Sequence, residues 1–100
     1  MLLVTGSARF HADDIDALRE AAHDMVMESR KEDGCITYAY AFDLFDPTLM
    51  HIVEKWDDRA ALQRHFETPH MKTWRSKLAT LRFSDLELFT VEGEEQVLPR

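Results

Sequence analysis

The sequence predicts an α+β fold in which four antiparallel strands carry their helices on one face. The first observation is the order of the hydrophobic patterns: a strand, a helix, two strands, a helical region and a last strand, or β-α-β-β-α-β. The second is size, because 100 residues make one domain with one core. The third is composition, since 45% hydrophobic and 31% charged residues are typical of a globular protein.

The first strand and the first helix occupy the N-terminal third of the chain. Residues 1–10 have the apolar and β-branched content of a strand, and Asp13 offers an N-cap after it. From Ile15 to Ser29 the apolar residues recur with a spacing of about 3.6, which indicates an amphipathic helix. Gly34 stands where a C-cap glycine would end that helix.

A hairpin is predicted next. Residues 35–45 and 49–56 read as strands, and residues 46–48, Asp-Pro-Thr, form a turn signal between them.

The second helical region is predicted to be broken in two. Asp57 or Asp58 caps a short helix that runs through residue 66, and Thr68 with Pro69 supplies a new cap and a proline at the first helical position. Residues 86–91 form the last strand. This order is that of the ferredoxin-like arrangement, so we expect one domain over residues 1–92 and a polar tail over residues 93–100.

The sheet has a second face that the helices cannot cover. Residues 35–41 carry no charge on either face, and residues 2–4 are apolar on both. In an open sheet with one solvent-exposed face, apolar and charged residues should instead alternate along each strand. We therefore expect a second copy of the chain to pack there, giving a homodimer with an α+β barrel. The alternative is that small residues such as Ala39 and Ala41 tolerate water.

Charge and composition exclude several classes of protein. A net charge of −7 argues against nucleic acid as a partner. No apolar run approaches the ~18 residues of a membrane span, and the N-terminus lacks the features of a signal peptide. Cys35 is the single cysteine and cannot form an internal disulfide, which fits a reducing compartment. We expect a cytoplasmic protein with no membrane partner.

The histidines do not show metal-ligand spacing. They are His11, His23, His51, His65 and His70, without any His-x₃-His or Cys-x₂-Cys pair. The glycines at positions 6, 34 and 93 are isolated, so no phosphate-binding loop is present. We expect no metal site.

His65 is the strongest candidate for chemistry. It follows Leu62 by three residues and Ala61 by four, which places it on the inward face of its helix. Desolvation there favours the neutral imidazole, which can accept a proton. A structural role for the ring is an equal alternative. His70, in the first turn after Pro69, either lines the same cleft or faces solvent.

Glu54 and the aromatic residues form a second group of candidates. Glu54 shares a strand face with Ile52 and Trp56, so its charge must be paired with an opposite charge or have a function in the site. The interpretation we favour is an ion pair, with Arg59, Arg64 or Arg75 as partner. For Trp56 and Trp74, core packing is the default role. An aromatic wall on the second strand is also expected to pack in the core, although it could stack a flat ligand. The residues of this wall are Tyr38, Tyr40 and Phe42.

The chain resembles the antibiotic biosynthesis monooxygenase (ABM) family in three segments: EDGCITYAY, FDPT and EKWDDRAALQRHFETPHMKTW. The likeness runs from Met1 to about Val91 and is closest to small bacterial members that are provisionally named quinol monooxygenases. Its most specific residues are Glu54, Trp56, His65, Thr68, Pro69, His70 and Trp74.

The resemblance implies a dimeric ferredoxin-like barrel that oxygenates a small aromatic substrate without metal, flavin or haem. Members use O₂ on polycyclic phenols, anthrones or quinols, whose own anions supply the electrons, so no cofactor is expected. By this resemblance His65 is the catalytic base. The implied substrate-binding residues are Trp56, His70, Trp74, Tyr38, Glu54 and Arg75.

Other members of the family leave alternatives open. Haem-degrading members use an asparagine on the first strand, and this chain contains none, which disfavours haem degradation. Isomerases of phosphorylated metabolites share the TPH-x-K segment; such a substrate would use basic residues such as Lys72, Arg75 and Lys77. A ligand-binding dimer without turnover is the third alternative, and a cleft filled by its own aromatic side chains would favour it.

Overall fold

The computed structural model describes residues 1–99 and confirms the ferredoxin-like α+β fold. Three helices and four strands follow in the predicted order, with the second helical region broken in two. The elements are β1 (Leu2–Phe10), a 3₁₀ turn (Ala12–Asp14), α1 (Ile15–Ser29), β2 (Cys35–Phe42), β3 (Leu49–Trp56), α2 (Arg59–Phe66), α3 (Pro69–Leu78) and β4 (Phe83–Glu92).

The sheet is antiparallel throughout, in the order β2-β3-β1-β4. Register places Glu54 between Tyr38 on β2 and Val4 on β1, and Val4 pairs in turn with Thr90 on β4. These residues form one row across the sheet. They all line a cavity beneath the helices, so this row is the floor of the candidate site.

The break between α2 and α3 has the predicted caps. The side chain of Asp58 accepts a hydrogen bond from the backbone N–H of Ala61, and Thr68 accepts one from Met71. Pro69 takes the first position of α3, where its missing N–H costs nothing. Each side-chain cap thus satisfies one of the backbone donors that a helix start leaves without an intrahelical partner.

The start of α1 differs from the prediction. His11, not Asp13, caps a 3₁₀ turn that precedes the helix. The next acidic residue, Asp14, receives three hydrogen bonds from Arg82, two from the guanidinium and one from the backbone N–H. Asp14 therefore ties the helix start to β4 and makes no side-chain cap.

Gly34 does not end α1 either, because the helix stops at Ser29. Gly34 lies in the turn into β2 with φ at +87°, a conformation that favours glycine. A Cβ at this position would lie 2.7 Å from the Cβ of Ala61 on α2. The glycine therefore serves both the turn and the close approach of α2.

Two strand boundaries also differ from the prediction. β2 ends at Phe42, three residues earlier than predicted, because the carboxylate of Asp43 accepts hydrogen bonds from the backbone of Phe45 and Asp46 and starts the turn. β4 begins at Phe83, three residues earlier than predicted, and continues to Glu92.

The core lies between the sheet and the helices, and the opposite face of the sheet is open in the single chain. Trp56 and Leu18 are fully buried in that core. On the open face, Val53 on β3, Phe89 and Val91 are about half exposed.

Residues 93–99 have no regular secondary structure, and Arg100 of the predicted tail lies outside the described residues. Across residues 1–99, no helix combines the length and the apolar character needed to cross a bilayer.

Candidate active site

A cavity of about 450 Å³ opens between the sheet and helices α2 and α3. This volume falls in the range of small-molecule sites. Its lining is mainly apolar, with contributions from all four strands and both helices. Among the lining residues are Val4, Tyr38, Tyr40, Ile52, Glu54, Leu62, His65, Phe66, Met71, Trp74, Arg75 and Leu88.

His65 is the buried histidine of this cavity. It lies in the last turn of α2, where the cap at Asp58 sets the start of the helix, and its side chain is 1% exposed. The ring packs between aromatic groups, with centroid distances of 4.8 Å to Trp56 and 5.3 Å to Tyr38. The inward orientation predicted from helical spacing is confirmed.

One carboxylate contacts both His65 and His70. Oε2 of Glu32, in the loop between α1 and β2, lies 2.6 Å from Nδ1 of His65 and 2.8 Å from Nε2 of His70. Glu32 was not among the candidates selected from the sequence. Glu32 begins the EDGCITYAY segment of the family resemblance, but no local pattern assigns it a role, because it is separated from His65 by 33 residues and lies in a loop.

The electrostatics of the cavity favour a neutral His65. Burial lowers the pKa of the imidazole, against the opposing effect of its hydrogen bond to Glu32. Nε2 of the ring has no hydrogen-bond partner among residues 1–99, and it is buried. A neutral ring whose Nδ1–H donates to a carboxylate presents an unshared electron pair at Nε2. Nε2 of the neutral ring is therefore the atom of His65 that can accept a proton.

Glu54 does not form the ion pair that we favoured from the sequence. It is buried, with 7% exposure, and accepts a hydrogen bond of 2.9 Å from the indole Nε1–H of Trp56. Within the described chain no arginine pairs with Glu54; Arg75 instead donates to the backbone oxygen of Phe66. Burial raises the pKa of Glu54 to about 7, so a substantial protonated fraction exists at neutral pH.

Two tyrosines and a tryptophan form an aromatic wall in the cavity. The hydroxyl groups of Tyr38 and Tyr40 lie 2.8 Å apart in a mutual hydrogen bond. The ring of Tyr40 packs on Trp74, with centroids 5.4 Å apart. Burial raises the pKa of both phenols, which keeps them uncharged. The three rings offer a flat apolar surface, and the paired tyrosine hydroxyl groups form its polar edge.

The structure brings together some of the predicted site residues and separates others. Tyr38, Glu54, Trp74 and Arg75 line the cavity with His65. Trp56 is fully buried, donates to Glu54 and is not part of the lining. His70 contacts Glu32 and borders a separate depression between α1 and α3. Trp56 and His70 therefore support the cavity residues and do not face the cavity.

Glu32, His65 and His70 also have the donor atoms that a transition metal uses. Donors bonded to one tetrahedral ion at about 2.1 Å stand roughly 3.4 Å apart, with the ion between them. The separations of 2.6 and 2.8 Å from Glu32 Oε2 are instead those of charge-assisted hydrogen bonds. The geometry of the described residues thus fits a hydrogen-bonded triad better than a cation site.

The sequence profile of the antibiotic biosynthesis monooxygenase family matches residues 1–77. The chain belongs to this family. Its members include a protein of Deinococcus radiodurans, provisionally named an antibiotic biosynthesis monooxygenase, whose crystal structure superimposes with a TM-score of 0.90 at 27% sequence identity. That comparison covers 100% of this chain and 99% of the other. The ABM resemblance inferred from the three sequence segments is confirmed.

Two further relatives extend the comparison. The structure of PA3566 from Pseudomonas aeruginosa is similar with a TM-score of 0.84 and 26% identity, over 94% of each chain. The uncharacterised protein sll1783 of Synechocystis is 28% identical over 87 residues, which is 87% of the ABM chain. The chain spans 59% of the length of that curated relative.

Proposed function

We propose that this ABM protein is a cofactor-independent monooxygenase that oxidises a small aromatic, polycyclic phenol or quinol substrate with O₂. The observation that carries the proposal is the buried, unpartnered Nε2 of a neutral His65 in an apolar cavity. Family membership and the Deinococcus relative support the monooxygenase class.

The first step is removal of a substrate proton by Nε2 of His65. The distance required of such a base is a heavy-atom approach of about 2.6–3.2 Å between Nε2 and the substrate atom that loses the proton. The imidazolium that forms is stabilised by Glu32, whose carboxylate already accepts the Nδ1–H bond. The substrate becomes an electron-rich anion.

That anion supplies the electrons for oxygen. It passes one electron to O₂, the resulting pair combines into a peroxide, and loss of water leaves a carbonyl on the substrate. For an activated CH₂ group, one oxygen atom enters the product and the other leaves as water with the two hydrogens. A protonated Glu54 is available in the cavity to donate a proton to the peroxide.

The lining fits a planar aromatic substrate. The wall of Tyr38, Tyr40 and Trp74 gives surfaces for ring stacking, and Arg75 is a cation that lines the cavity. Developing negative charge on a phenolate oxygen would be stabilised by such a donor.

We propose further that two copies of the chain pair through the open face of the sheet. Strand register places Ala39, Val53, Thr5 and Phe89 in one row across that face. Val53 and Phe89 are exposed in the single chain, and burying such a surface is the main driving force of association. The second copy would close the barrel expected from the sequence.

The isomerase alternative receives less support. A phosphorylated substrate would require several basic groups, yet of Lys72, Arg75 and Lys77 the cavity described here is lined by Arg75 alone. The non-catalytic alternative required a cleft filled by aromatic side chains, whereas the cavity measures about 450 Å³.

Oxygen uptake by purified protein tests the proposal. Anthrones and reduced quinones are supplied as a panel at pH 7.5, and O₂ consumption is followed together with the mass of the product. We expect uptake above the spontaneous rate and a product that gains one atom from ¹⁸O₂. A panel that shows only the spontaneous rate would remove the oxygenase assignment.

A further inference from the structure

Three polar side chains at the edge of the cavity meet at one oxygen atom. Oε2 of Glu32 contacts both His65 and His70, and these three side chains are buried or largely buried, with exposures of 12%, 1% and 17% for Glu32, His65 and His70. We propose that Glu32 is the positioning residue of the His65 base, and that His70 holds Glu32 in place. This inference rests on the proposed function only where it concerns turnover.

The backbone of Glu32 is fixed independently of its side chain. Its N–H donates to the carbonyl of Ser29 at 3.0 Å, and its carbonyl accepts from the N–H of Cys35 at 3.2 Å. The loop is thereby tied to the end of α1 and the start of β2. The carboxylate is presented to α2 and α3 from a stationary backbone.

The hydrogen bonds determine which nitrogen of His65 is basic. An ionised carboxylate only accepts hydrogen bonds, so Nδ1 of His65 and Nε2 of His70 carry the hydrogens that face Glu32. The tautomer of His65 follows from this network: Nδ1 is protonated, and Nε2 keeps its electron pair. Without Glu32, the ring could place its hydrogen on Nε2 and would lose its ability to accept a proton in the cavity.

His70 is suited to hold the carboxylate and not to contact the substrate. Thr68 and Pro69 start α3 so that His70 stands beside His65 across the break, with ring centroids 6.0 Å apart. His70 borders the depression between α1 and α3. Its contact with Glu32 opposes rotation of the carboxylate toward solvent, so its effect on His65 is indirect.

The first measurement needs no substrate and no variant. Long-range ¹H–¹⁵N correlation spectra of protein labelled at histidine distinguish the two ring tautomers directly. We expect His65 to carry its hydrogen on Nδ1, and a ring that carries it on Nε2 would overturn the inference. The same spectra of Glu32→Gln should show a mixture of tautomers, whereas Glu28→Gln, an exposed glutamate on α1, should match the wild type.

The second measurement separates proton removal from oxygenation. Under anaerobic conditions in D₂O, the base should catalyse exchange of the acidic C–H of an anthrone, observed by NMR of the anthrone. We expect Glu32→Gln to lower kcat for exchange roughly 10- to 100-fold with little change in KM, the range for loss of a hydrogen bond to a charged group. An exchange rate equal to that of Glu28→Gln would refute the positioning role.

Two substitutions of His70 provide the conservative comparison. His70→Gln keeps an N–H donor for the carboxylate and should retain most of the exchange activity, while His70→Leu removes the donor and should lower it. Equal activity in both would show that His70 does not hold Glu32. Failure of the oxygenase proposal is recognised separately, by absent O₂ uptake in a wild-type protein that still shows the predicted tautomer.

Discussion

The indole Nε1–H of Trp56 donates to Oε1 of Glu54 at 2.9 Å, although both residues are buried beneath the helices. One neutral donor is a weak compensation for a buried charge. This explains why burial outweighs the hydrogen bond and raises the pKa of Glu54 from 4.5 to about 7. The carboxyl is adapted to hold a proton near neutral pH.

The first prediction concerns stability as a function of pH. In the unfolded chain Glu54 ionises near 4.5, the ordinary pKa of a glutamate, whereas the folded state keeps the proton until about pH 7. The protonated carboxyl contributes its full stabilisation of the folded state below pH 4.5, and this contribution is lost as the pH rises toward 7. Glu54→Gln cannot ionise, so its free energy of unfolding relative to wild type should increase by roughly 3 kcal/mol over this interval.

Urea denaturation between pH 4 and 8 measures this difference. Gln retains the oxygen that accepts from Trp56, so the change isolates the titration. Glu20→Gln, at an exposed position of α1, reports the background effect of removing a charge. A difference between Glu54→Gln and wild type that stays constant with pH would contradict the raised pKa.

The second prediction concerns the base. His65→Gln should reduce the rate of O₂ uptake by roughly 10²–10⁴-fold, the contribution typical of a positioned general base. His23→Gln, which alters an exposed histidine on α1, should leave the rate unchanged. A His65→Gln protein that folds normally by circular dichroism and retains the wild-type rate would remove His65 from the mechanism.

The fold was predictable because its signals are local. The helical spacing of α1, the cap and proline at Thr68 and Pro69, and the hairpin signal between β2 and β3 each depend on neighbouring residues. The error at the start of α1 concerned Asp13, which lies inside a 3₁₀ turn that His11 caps. Asp14, which occupies the N-cap position of α1, makes no side-chain cap, and its carboxylate accepts hydrogen bonds from Arg82, 68 positions away.

The same reasoning explains what was missed in the site. Inward orientation identified His65, because helical geometry determines it. Glu32 could not be found, since only the folded chain brings its loop against α2 and α3. Glu54 was placed on the correct face, but its partner was assigned by charge. The actual partner, Trp56, was two residues away on the same face of the strand.

The third prediction concerns the single cysteine. Burial is the main cause that raises the pKa of Cys35 to about 11, and the charge of Glu32 adds to it. Because the thiolate is the reactive form, a thiol-specific reagent should modify the folded protein slowly at pH 8 and rapidly after denaturation. Modification of the native protein as fast as that of a free cysteine would contradict this environment.

The last prediction tests the open face of the sheet. If a second chain covers Val53, a Glu at this position would bury an unpaired charge in the interface, so Val53→Glu should dissociate the dimer. Ser76→Glu, on the exposed side of α3, is the matched control and should not. Sedimentation at micromolar concentration should give twice 11.7 kDa for wild type and control, and 11.7 kDa for Val53→Glu. A wild-type protein that sediments as an 11.7 kDa monomer at these concentrations would refute pairing through this face.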